Sequence, residues 1–142
     1  MLSKKAQYAL KALSYLTQNY VEASAEYPSG RPVLISEISA KQQIPIKFLE
    51  NILLQLKNAD ILDSRKGKRG GYFLKLPPSQ IQIARVLRII DGPIAMLPCV
   101  SLYFYKKCED CQEKKCRINK MFCEVRDATL HILENRTLMD IA

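Results

Sequence analysis

Residues 44–76 read IPIKFLENILLQLKNADILDSRKGKRGGYFLKL, and this stretch decides the fold. Its first part predicts a helix over residues 46–58, preceded by Pro45, whose missing N–H costs nothing at a helix start. Apolar residues recur at the spacing i, i+3, i+4, i+7 of one helix face: Leu49, Ile52, Leu53 and Leu56. Its second part predicts two short strands, over residues 61–64 and 72–76, that a turn would join into a hairpin.

The residues before this stretch predict two further helices. Apolar residues at helical spacing predict a helix over residues 4–19. A turn-rich break over residues 27–32 and a brief strand over residues 33–35 follow it. Ser36 is the expected N-cap of a short helix over residues 37–42. Two helices joined by about three residues, the second amphipathic with polar residues near its start, form the helix-turn-helix pattern.

The turn between the two predicted strands is basic and rich in glycine. It reads RKGKRGG over residues 65–71, and residues 64–75 hold five basic side chains and no acidic one. Glycine permits tight turns, and lysine and arginine neutralise phosphates. A solvated charged turn would also explain this composition. After a helix-turn-helix, however, a basic hairpin is typical of the wing of a winged helix.

The residues after the hairpin predict a helical second segment with a long loop. Ser79 is the expected N-cap of a helix over residues 80–90. Residues 94–117 predict an irregular loop, and residues 118–135 predict a long helix. Thr137 is the expected cap of a last short turn.

Charge and composition narrow the functional classes. The 142 residues are 48% hydrophobic and carry a net charge of +8, which suits one domain with a core. Residues 1–75 hold 12 basic and 6 acidic side chains, against 10 and 8 in residues 76–142. Such a field attracts polyanions, nucleic acid above all, although solubility would also explain it. With no run of about 18 apolar residues and no signal-peptide stretch, a cytoplasmic protein without a membrane span is expected.

All five cysteines lie between residues 99 and 123. In a reducing cytosol, such clustering points to metal ligation or redox chemistry more than to a disulfide framework. Cys108, Cys111 and Cys116 are closely spaced, and Cys99 lies upstream of them. Thiolates this close can share one metal ion or cluster, with the loop wrapped round it. Four cysteines suit tetrahedral zinc as well, and metal-free thiols are a third alternative.

Short motifs along the whole chain resemble those of one known family. In chain order they are Lys5 with Tyr8-Ala9-Leu10, IPIKFLE at 44–50, Ser64-Arg65-Lys66-Gly67 with Gly70-Gly71-Tyr72, Ile90-Asp91-Gly92-Pro93, the cysteine loop, and Thr137-Leu138-Met139-Asp140-Ile141. The chain thereby resembles the bacterial winged-helix regulators typified by the iron–sulfur regulator IscR, the nitric-oxide sensor NsrR and the cysteine-metabolism regulator CymR (the Rrf-two family).

The resemblance implies a mainly α-helical fold with a small β-hairpin wing and a long C-terminal dimerisation helix. Residues 1–78 would form a winged helix-turn-helix DNA-binding domain. Residues 79–142 would supply a linker helix, a cysteine-rich sensor loop and the dimerisation helix. The homodimer would bind a palindromic operator in double-stranded DNA and act as a repressor. Its recognition helices would lie roughly 34 Å apart, or a multiple of that distance, in successive major grooves.

Three residues of the second helix match the family's base-facing positions. Lys47 can donate to guanine or phosphate, Glu50 can accept from cytosine N4, and Asn51 can pair with adenine. Asp60 stands where the family commonly has glycine after this helix. Aspartate tolerates the left-handed conformation less well than glycine, so a small local adjustment is expected there.

Further DNA contacts are expected from the wing and the N-terminus. Lys66 stands where relatives often have an arginine that reaches the minor groove, and lysine keeps the charge but loses the planar fork. Lys68 and Arg69 are expected to bind phosphates at the wing tip. Three residues at the start of the first helix are expected to contact the DNA backbone: Ser3, Lys4 and Lys5.

Iron–sulfur relatives hold their cluster with three cysteines in the same loop, and Cys116 matches the third of them. Their fourth ligand is replaced here by Asn119 or Gln7, neither a good iron ligand, so Cys99 would supply the fourth thiolate. The expected ligands are Cys99, Cys108, Cys111 and Cys116. An iron–sulfur cluster that senses redox state, nitric oxide or iron supply is one interpretation, and zinc or no metal are the others. Cys123 is expected to be buried in the packing of the long helix.

The sequence does not predict an enzyme. It contains no P-loop or dinucleotide motif, and no histidine stands next to the cysteines in sequence as a His/Cys catalytic pair would. A thiol-redox or metal-dependent catalyst is disfavoured for the same reason. A zinc-binding scaffold that does not bind DNA is disfavoured by the basic turn and by the polar face of the second helix.

Overall fold

A computed structural model describes residues 1–22, 24–25 and 30–142 of the chain. Positions 27–29, which belong to the predicted break, lie outside the described residues. The described residues form five α-helices, four short 3-10 turns and one two-stranded antiparallel sheet. The fold is therefore mainly α-helical with a small hairpin, as the sequence predicts.

The first three helices are α1 (Lys4–Gln18), α2 (Ile35–Gln42) and α3 (Ile46–Asn58). The bounds of α3 are those that the sequence predicts. Its apolar stripe is fully buried: Leu49, Ile52, Leu53 and Leu56. Burying an apolar side chain of this size stabilises a fold by roughly 1.5–3 kcal/mol, so the stripe fixes which face of α3 lies inward.

The turn between α2 and α3 is short and held by local hydrogen bonds. Gln43 follows α2 in the left-handed conformation, with φ of 52°. The N–H of Ile44 donates to the carbonyl of Ser39 at 3.1 Å, and the Ser39 hydroxyl donates to the carbonyl of Ile44 at 2.7 Å. Pro45 then leads directly into α3. This is the predicted helix-turn-helix.

The basic turn joins two antiparallel strands, β1 (Leu62–Arg65) and β2 (Gly71–Leu74). Leu62 lies opposite Leu74, and Arg65 lies opposite Gly71. Both strands are confirmed, with bounds that differ from the predicted ones by one or two residues.

A single bridge attaches this hairpin to the residues before α2. Val33 and Tyr72 exchange two backbone hydrogen bonds, each of 2.8 Å. The predicted strand over residues 33–35 is wrong beyond Val33, because Ile35 is already the first residue of α2. Gly71 lies against this bridge with φ of +134°, and a Cβ there would be 2.2 Å from the Val33 carbonyl oxygen. Only glycine fits this position.

The predicted N-cap at Ser36 is wrong. The cap position of α2 is Leu34, without a side-chain hydrogen bond, and Ser36 lies inside the first turn. The Leu34 carbonyl already accepts from the N–H of Glu37 at 3.0 Å and of Ile38 at 3.1 Å. Val33 pairs with Tyr72 of the hairpin, and α2 begins two residues later, at Ile35, directly after that pairing ends.

The predicted N-cap at Ser79 is also wrong. Ser79 lies in a 3-10 turn, Pro78–Gln80, and α4 spans Ile83–Asp91. The N–H of Ile83 donates to the carbonyl of Arg136 at 2.9 Å. This pairing keeps the chain extended just before α4, so the helix cannot begin earlier.

The C-terminal part contains α5 (Arg117–Glu134), after a segment with two 3-10 turns, Pro98–Val100 and Glu113–Lys115. Thr137 and Asp140 form a capping box on the last 3-10 turn, which confirms the predicted cap. Leu138 is fully buried in the same apolar cluster as residues of α1, α3 and α4. Both predicted segments therefore contribute to one hydrophobic core. Within the described ranges, no helix has the length and apolar character needed to cross a membrane.

Candidate nucleic-acid interface

The outer face of α3 presents the three polar residues that the sequence singles out. At about 100° per residue, Lys47, Glu50 and Asn51 lie opposite the buried stripe, and all three are exposed. The three side chains combine a cation, an anion and an amide that can donate and accept. This is the set of hydrogen-bonding groups that base edges in a major groove require.

A hydrogen-bond chain fixes α3 against α1 and α4. The Lys5 ammonium donates to Gln55 Oε1 at 2.6 Å, and Gln55 Nε2 donates to the carbonyl of Ile89 at 2.7 Å. Lys5, predicted to contact the DNA backbone, is therefore half-buried and bound to α3. Its contact supports the orientation of the helix that carries Lys47, Glu50 and Asn51.

Ser3 and Lys4, the other two N-terminal residues predicted to contact the DNA backbone, have different surroundings. Ser3 is the N-cap of α1, where its hydroxyl accepts from the N–H of Ala6 at 3.0 Å. The Ser3 backbone N–H and hydroxyl both donate to the carboxylate of Asp91 at the end of α4. Lys4 is exposed, with its ammonium 5.1 Å from the centre of the Tyr8 ring. The structure thus gives Ser3 a structural contact and leaves Lys4 at the surface.

The basic side chains at the wing tip are exposed to solvent, and a tight turn that contains glycine holds them there. Lys66, Lys68 and Arg69 are all exposed. The N–H of Gly70 donates to the carbonyl of Gly67 at 3.0 Å, which closes the turn. A Cβ on Gly70 would lie 2.3 Å from the Arg65 carbonyl oxygen, so a larger residue would open the tip.

The wing is also fixed relative to α3. The Lys57 ammonium donates to the Ser64 hydroxyl at 2.6 Å and so joins α3 to β1. Asp60, between them, takes the left-handed conformation with φ of 59° and pairs with Lys75 at 2.6 Å. The hydrogen bond from Lys75 holds the pKa of the Asp60 carboxyl below its usual value. Asp60 thus takes a left-handed conformation that glycine adopts more readily.

Arg65 at the start of the wing was not among the predicted site residues. It is exposed at the end of β1, and its guanidinium lies 5.8 Å from the centre of the Phe73 ring. Its place in the RKGKRGG stretch and in the Ser64-Arg65-Lys66-Gly67 motif could have singled it out.

One loop cysteine, Cys111, interacts with two others. The thiol of Cys111 interacts with those of Cys108 and Cys116, and the hydrogen bond with Cys108 is the main reason why the pKa of Cys111 rises to about 12. Cys116 is the N-cap of α5, where its sulfur accepts from the backbone N–H of Asn119 at 3.4 Å. That hydrogen bond lowers the pKa of Cys116. Cys116 therefore connects the interacting loop cysteines to the first turn of α5.

Asn119 forms hydrogen bonds with the remaining two cysteines, Cys99 and Cys123. This structural role was not predicted from the sequence. Its side-chain amide donates to the sulfur and the carbonyl oxygen of Cys99, each at 3.5 Å. The Cys123 thiol donates to Asn119 Oδ1 at 3.6 Å. Cys123 is half-buried, so the expectation of buried packing is corrected. Cys123 lies one turn after Asn119, on the face of α5 that contacts the Pro98–Val100 turn.

The predicted metal-ligand set is not assembled in this arrangement. Across the described ranges, no group of three or more histidine, cysteine, aspartate or glutamate side chains could hold a metal ion. Cys99 is bound to Asn119 rather than to the other thiols. The carboxylate of Glu113 accepts from the N–H of Cys108 at 3.2 Å and from the Tyr105 hydroxyl at 2.8 Å.

The exposed face of α5 carries an apolar seam. It consists of Ile118, Met121, Val125, Ala128 and Ile132, all exposed. The spacing alternates between three and four residues, which is the a/d pattern of a helix that pairs with another helix. Ile118 and Ile132, near the two ends, are 60% and 58% exposed. Monomeric proteins rarely expose a contiguous apolar stripe of this length.

A helix-turn-helix followed by a basic hairpin places the chain in the class of winged-helix DNA-binding proteins. The chain belongs to the Rrf2 family, whose model, described as "Iron-dependent Transcriptional regulator", matches residues 2–142. It is therefore a DNA-binding transcriptional regulator and not an enzyme.

Individual relatives agree with this assignment. A Rhodobacter capsulatus protein, named as an rrf2-like HTH-type transcriptional regulator, is 42% identical over 142 residues, covering 99% of this chain and 91% of the relative. The Bacillus subtilis regulator CymR is 26% identical over 141 residues, covering 99% of this chain and 88% of CymR.

Solved structures share the fold. The structure of B. subtilis CymR, titled the global cysteine regulator, superposes with a TM-score of 0.78 at 25% identity, covering 100% of this chain and 95% of CymR. The structure of T. potens IscR gives a TM-score of 0.72 at 23% identity, covering 99% of this chain and 85% of IscR, which shows the fold alone.

Proposed function

We propose that this regulator is a cytoplasmic homodimeric repressor of a partly palindromic operator. The observation that carries the proposal is the exposed polar face of α3 beside a basic glycine-rich wing. Residues 1–78 would supply this DNA-binding part, and residues 79–142 the sensing and dimerisation part.

The polar face of α3 would read bases in the major groove. Lys47 would donate to guanine or phosphate, Glu50 would accept from cytosine N4, and Asn51 would pair with adenine. Each good base contact contributes about 1–3 kcal/mol of discrimination. The affinity difference between the operator and other sequences is therefore assigned to these side chains.

The wing and the N-terminus would supply contacts that do not depend on sequence. Lys66 would reach the minor groove, and Lys68 and Arg69 would neutralise phosphates. Lys4 is the N-terminal residue best placed for the DNA backbone, because its ammonium is at the surface. The backbone contacts proposed for Ser3 and Lys5 would be made alongside their bonds to Asp91 and Gln55.

The apolar seam of α5 supports the homodimer. Two copies that pack their seams across a two-fold axis would remove the exposed isoleucines from water, and every apolar Å² buried contributes about 25 cal/mol. The same axis would place the two α3 helices in successive major grooves, roughly 34 Å or a multiple of that distance apart. A palindromic operator follows from this symmetry.

The cysteine loop is the proposed site at which redox state, nitric oxide or iron–sulfur status is sensed. Its connection to DNA binding would run through Cys116, whose sulfur caps the helix of the dimer seam. A change at this thiol would alter the first turn of α5 and so the balance between two dimer arrangements. The recognition helices would then fit the operator differently.

Two observations favour different chemistries for this loop. The family description names iron, which supports an iron–sulfur cluster. The contacts among Cys108, Cys111 and Cys116, with Cys99 held by Asn119, support metal-free thiols or a zinc site formed after rearrangement. Protein purified without oxygen decides between them by its visible absorption spectrum together with iron, sulfide and zinc analysis. Matched iron and sulfide support a cluster, about one zinc per chain supports zinc, and a colourless metal-free sample supports a thiol switch.

Base reading by α3 is tested by Asn51→Ala, with Asn135→Ala at the end of α5 as the matched control. The operator is first selected from a random DNA library. Asn51→Ala should bind the operator roughly 5- to 150-fold more weakly while its affinity for unrelated DNA stays unchanged. The control should match the wild type. Equal losses on both DNAs would show that Asn51 reads no base, and no selected sequence at all would refute the repressor proposal.

A further inference from the structure

An exposed leucine lies in the middle of the polar face of α3. Leu54 is 52% exposed, whereas Leu49, Leu53 and Leu56 of the same helix are fully buried. At about 100° per residue, position 54 follows Asn51 by three residues and so extends the same stripe. The side chain has no place in the core, and it stands beside the residues that are proposed to read bases.

Two other apolar residues at the start of α3 are exposed, but their placement differs. Phe48 contacts the ring of Tyr8 edge-on, with ring centres 6.2 Å apart, so it has a partner inside the chain. Ile46 is the first residue of α3 and lies to the side of the polar stripe. A single exposed leucine on a protein surface is ordinary and needs no explanation. Leu54 differs because its neighbours on the helix form the proposed reading face.

The major groove offers one apolar group, the C5-methyl of thymine. Lys47, Glu50 and Asn51 recognise donors and acceptors, and none of them distinguishes this methyl group. We infer that Leu54 packs against the C5-methyl of one thymine in each operator half-site and is a specificity-determining residue. The inference rests on the proposed DNA-binding role of this face of α3.

The size of the effect follows from the burial of one methyl group. Replacing thymine by deoxyuridine removes the methyl and keeps the base pair. The affinity should fall about 4-fold when one half-site is changed and about 15-fold when both are changed. Because Leu54 is exposed and outside the core, its replacement should not unfold the chain.

The experiment is a thermodynamic cycle on the selected operator. Each thymine is replaced by deoxyuridine, one symmetric pair at a time, and the dissociation constant is measured for the wild type, Leu54→Ala and Leu54→Met. One thymine pair should show the loss with the wild type and with Leu54→Met. Leu54→Ala should bind the two DNAs equally. Met139→Ala, another exposed apolar side chain, is the control and should behave as the wild type.

The outcomes separate this inference from the proposed function. If Leu54→Ala still distinguishes thymine from deoxyuridine, Leu54 does not read the methyl and the inference is overturned, while operator binding stands. If no thymine pair is sensitive to the methyl group in the wild type, the inference is likewise overturned. If the wild type selects no DNA sequence, the proposed function fails and the inference falls with it.

Discussion

Replacing Gly71 by alanine tests whether the wing is held to the helical core by the Val33–Tyr72 bridge. The new Cβ would lie 2.2 Å from the Val33 carbonyl oxygen and 2.8 Å from the backbone nitrogen of Leu34. Both neighbours are backbone atoms, so neither can turn aside as a flexible side chain could. The substitution must therefore separate the hairpin from the start of α2 or leave Gly71's neighbours strained.

The cost has two parts. The bridge consists of two backbone hydrogen bonds of 2.8 Å, each worth about 1 kcal/mol. A side chain held at the φ of +134° adds strain of about 1–3 kcal/mol. Gly71→Ala should thus lower the free energy of unfolding by about 3–5 kcal/mol.

Gly67→Ala in the same turn is the matched control. Gly67 also has a positive φ, +106°, but a Cβ there would meet nothing within 4 Å. Strain alone should cost about 1–3 kcal/mol. Urea unfolding followed by far-UV circular dichroism, at one fixed protein concentration, gives both values. Equal destabilisation by the two substitutions would refute the reasoning, because the bridge would then contribute nothing.

Three further changes have defined outcomes. Ile132→Glu places a charge in the apolar seam of α5 and should dissociate the dimer, as measured by sedimentation velocity. The control Lys120→Glu on the same helix should leave the dimer intact. A monomeric wild type would contradict the proposal. Cys116→Ala removes the N-cap of α5 and should lower the free energy of unfolding by about 1 kcal/mol, while Cys116→Ser, which can cap, should restore it; equal losses would refute the cap. The hydrogen bond from the backbone of Thr137 lowers the pKa of Asp140, so this carboxylate stabilises the fold above its unfolded pKa of about 3.8 and loses that effect as the pH falls through its lower folded pKa. Thermal unfolding of Asp140→Asn should consequently show less acid sensitivity in that range than the wild type, and identical pH profiles would count against the capping box.

The helices of the DNA-binding half could be predicted because their apolar patterns are strong. The spacing of Leu49, Ile52, Leu53 and Leu56 is that of one buried helix face, and Pro45 marks the start of this helix. The hairpin was equally predictable, because glycines at a tight turn separate two apolar runs. In both cases the information lies within about 15 neighbouring residues.

The errors lie where distant residues decide the local structure. Ser36 and Ser79 are good N-cap residues by type, but neither caps a helix. The chain is held extended by the Val33–Tyr72 bridge before α2 and by the pairing of Gln82 with Thr137 before α4. A local pattern contains no information on such pairings, which override the preference of serine for a cap.

The candidate site was predictable in its residue types and not in its contacts. The exposure of Lys47, Glu50 and Asn51 follows from the helix period alone. The engagement of Lys5 with Gln55 and the four contacts of Asn119 with the cysteine region depend on packing between elements. The irregular loop has no period from which the directions of its thiols could be inferred.

The salt dependence of operator binding tests the central claim, recognition of DNA by α3 and the wing, most directly. The logarithm of the association constant should fall linearly with the logarithm of salt concentration for the wild type. Removing two wing cations per protomer with Lys68→Ala and Arg69→Ala should reduce the slope by about 3.6 in the dimer, at about 0.9 per phosphate contact. The charge-matched control Lys114→Ala with Lys115→Ala, on the cysteine loop, should keep the wild-type slope. A wild-type affinity independent of salt, or a wing variant with an unchanged slope, would contradict the account.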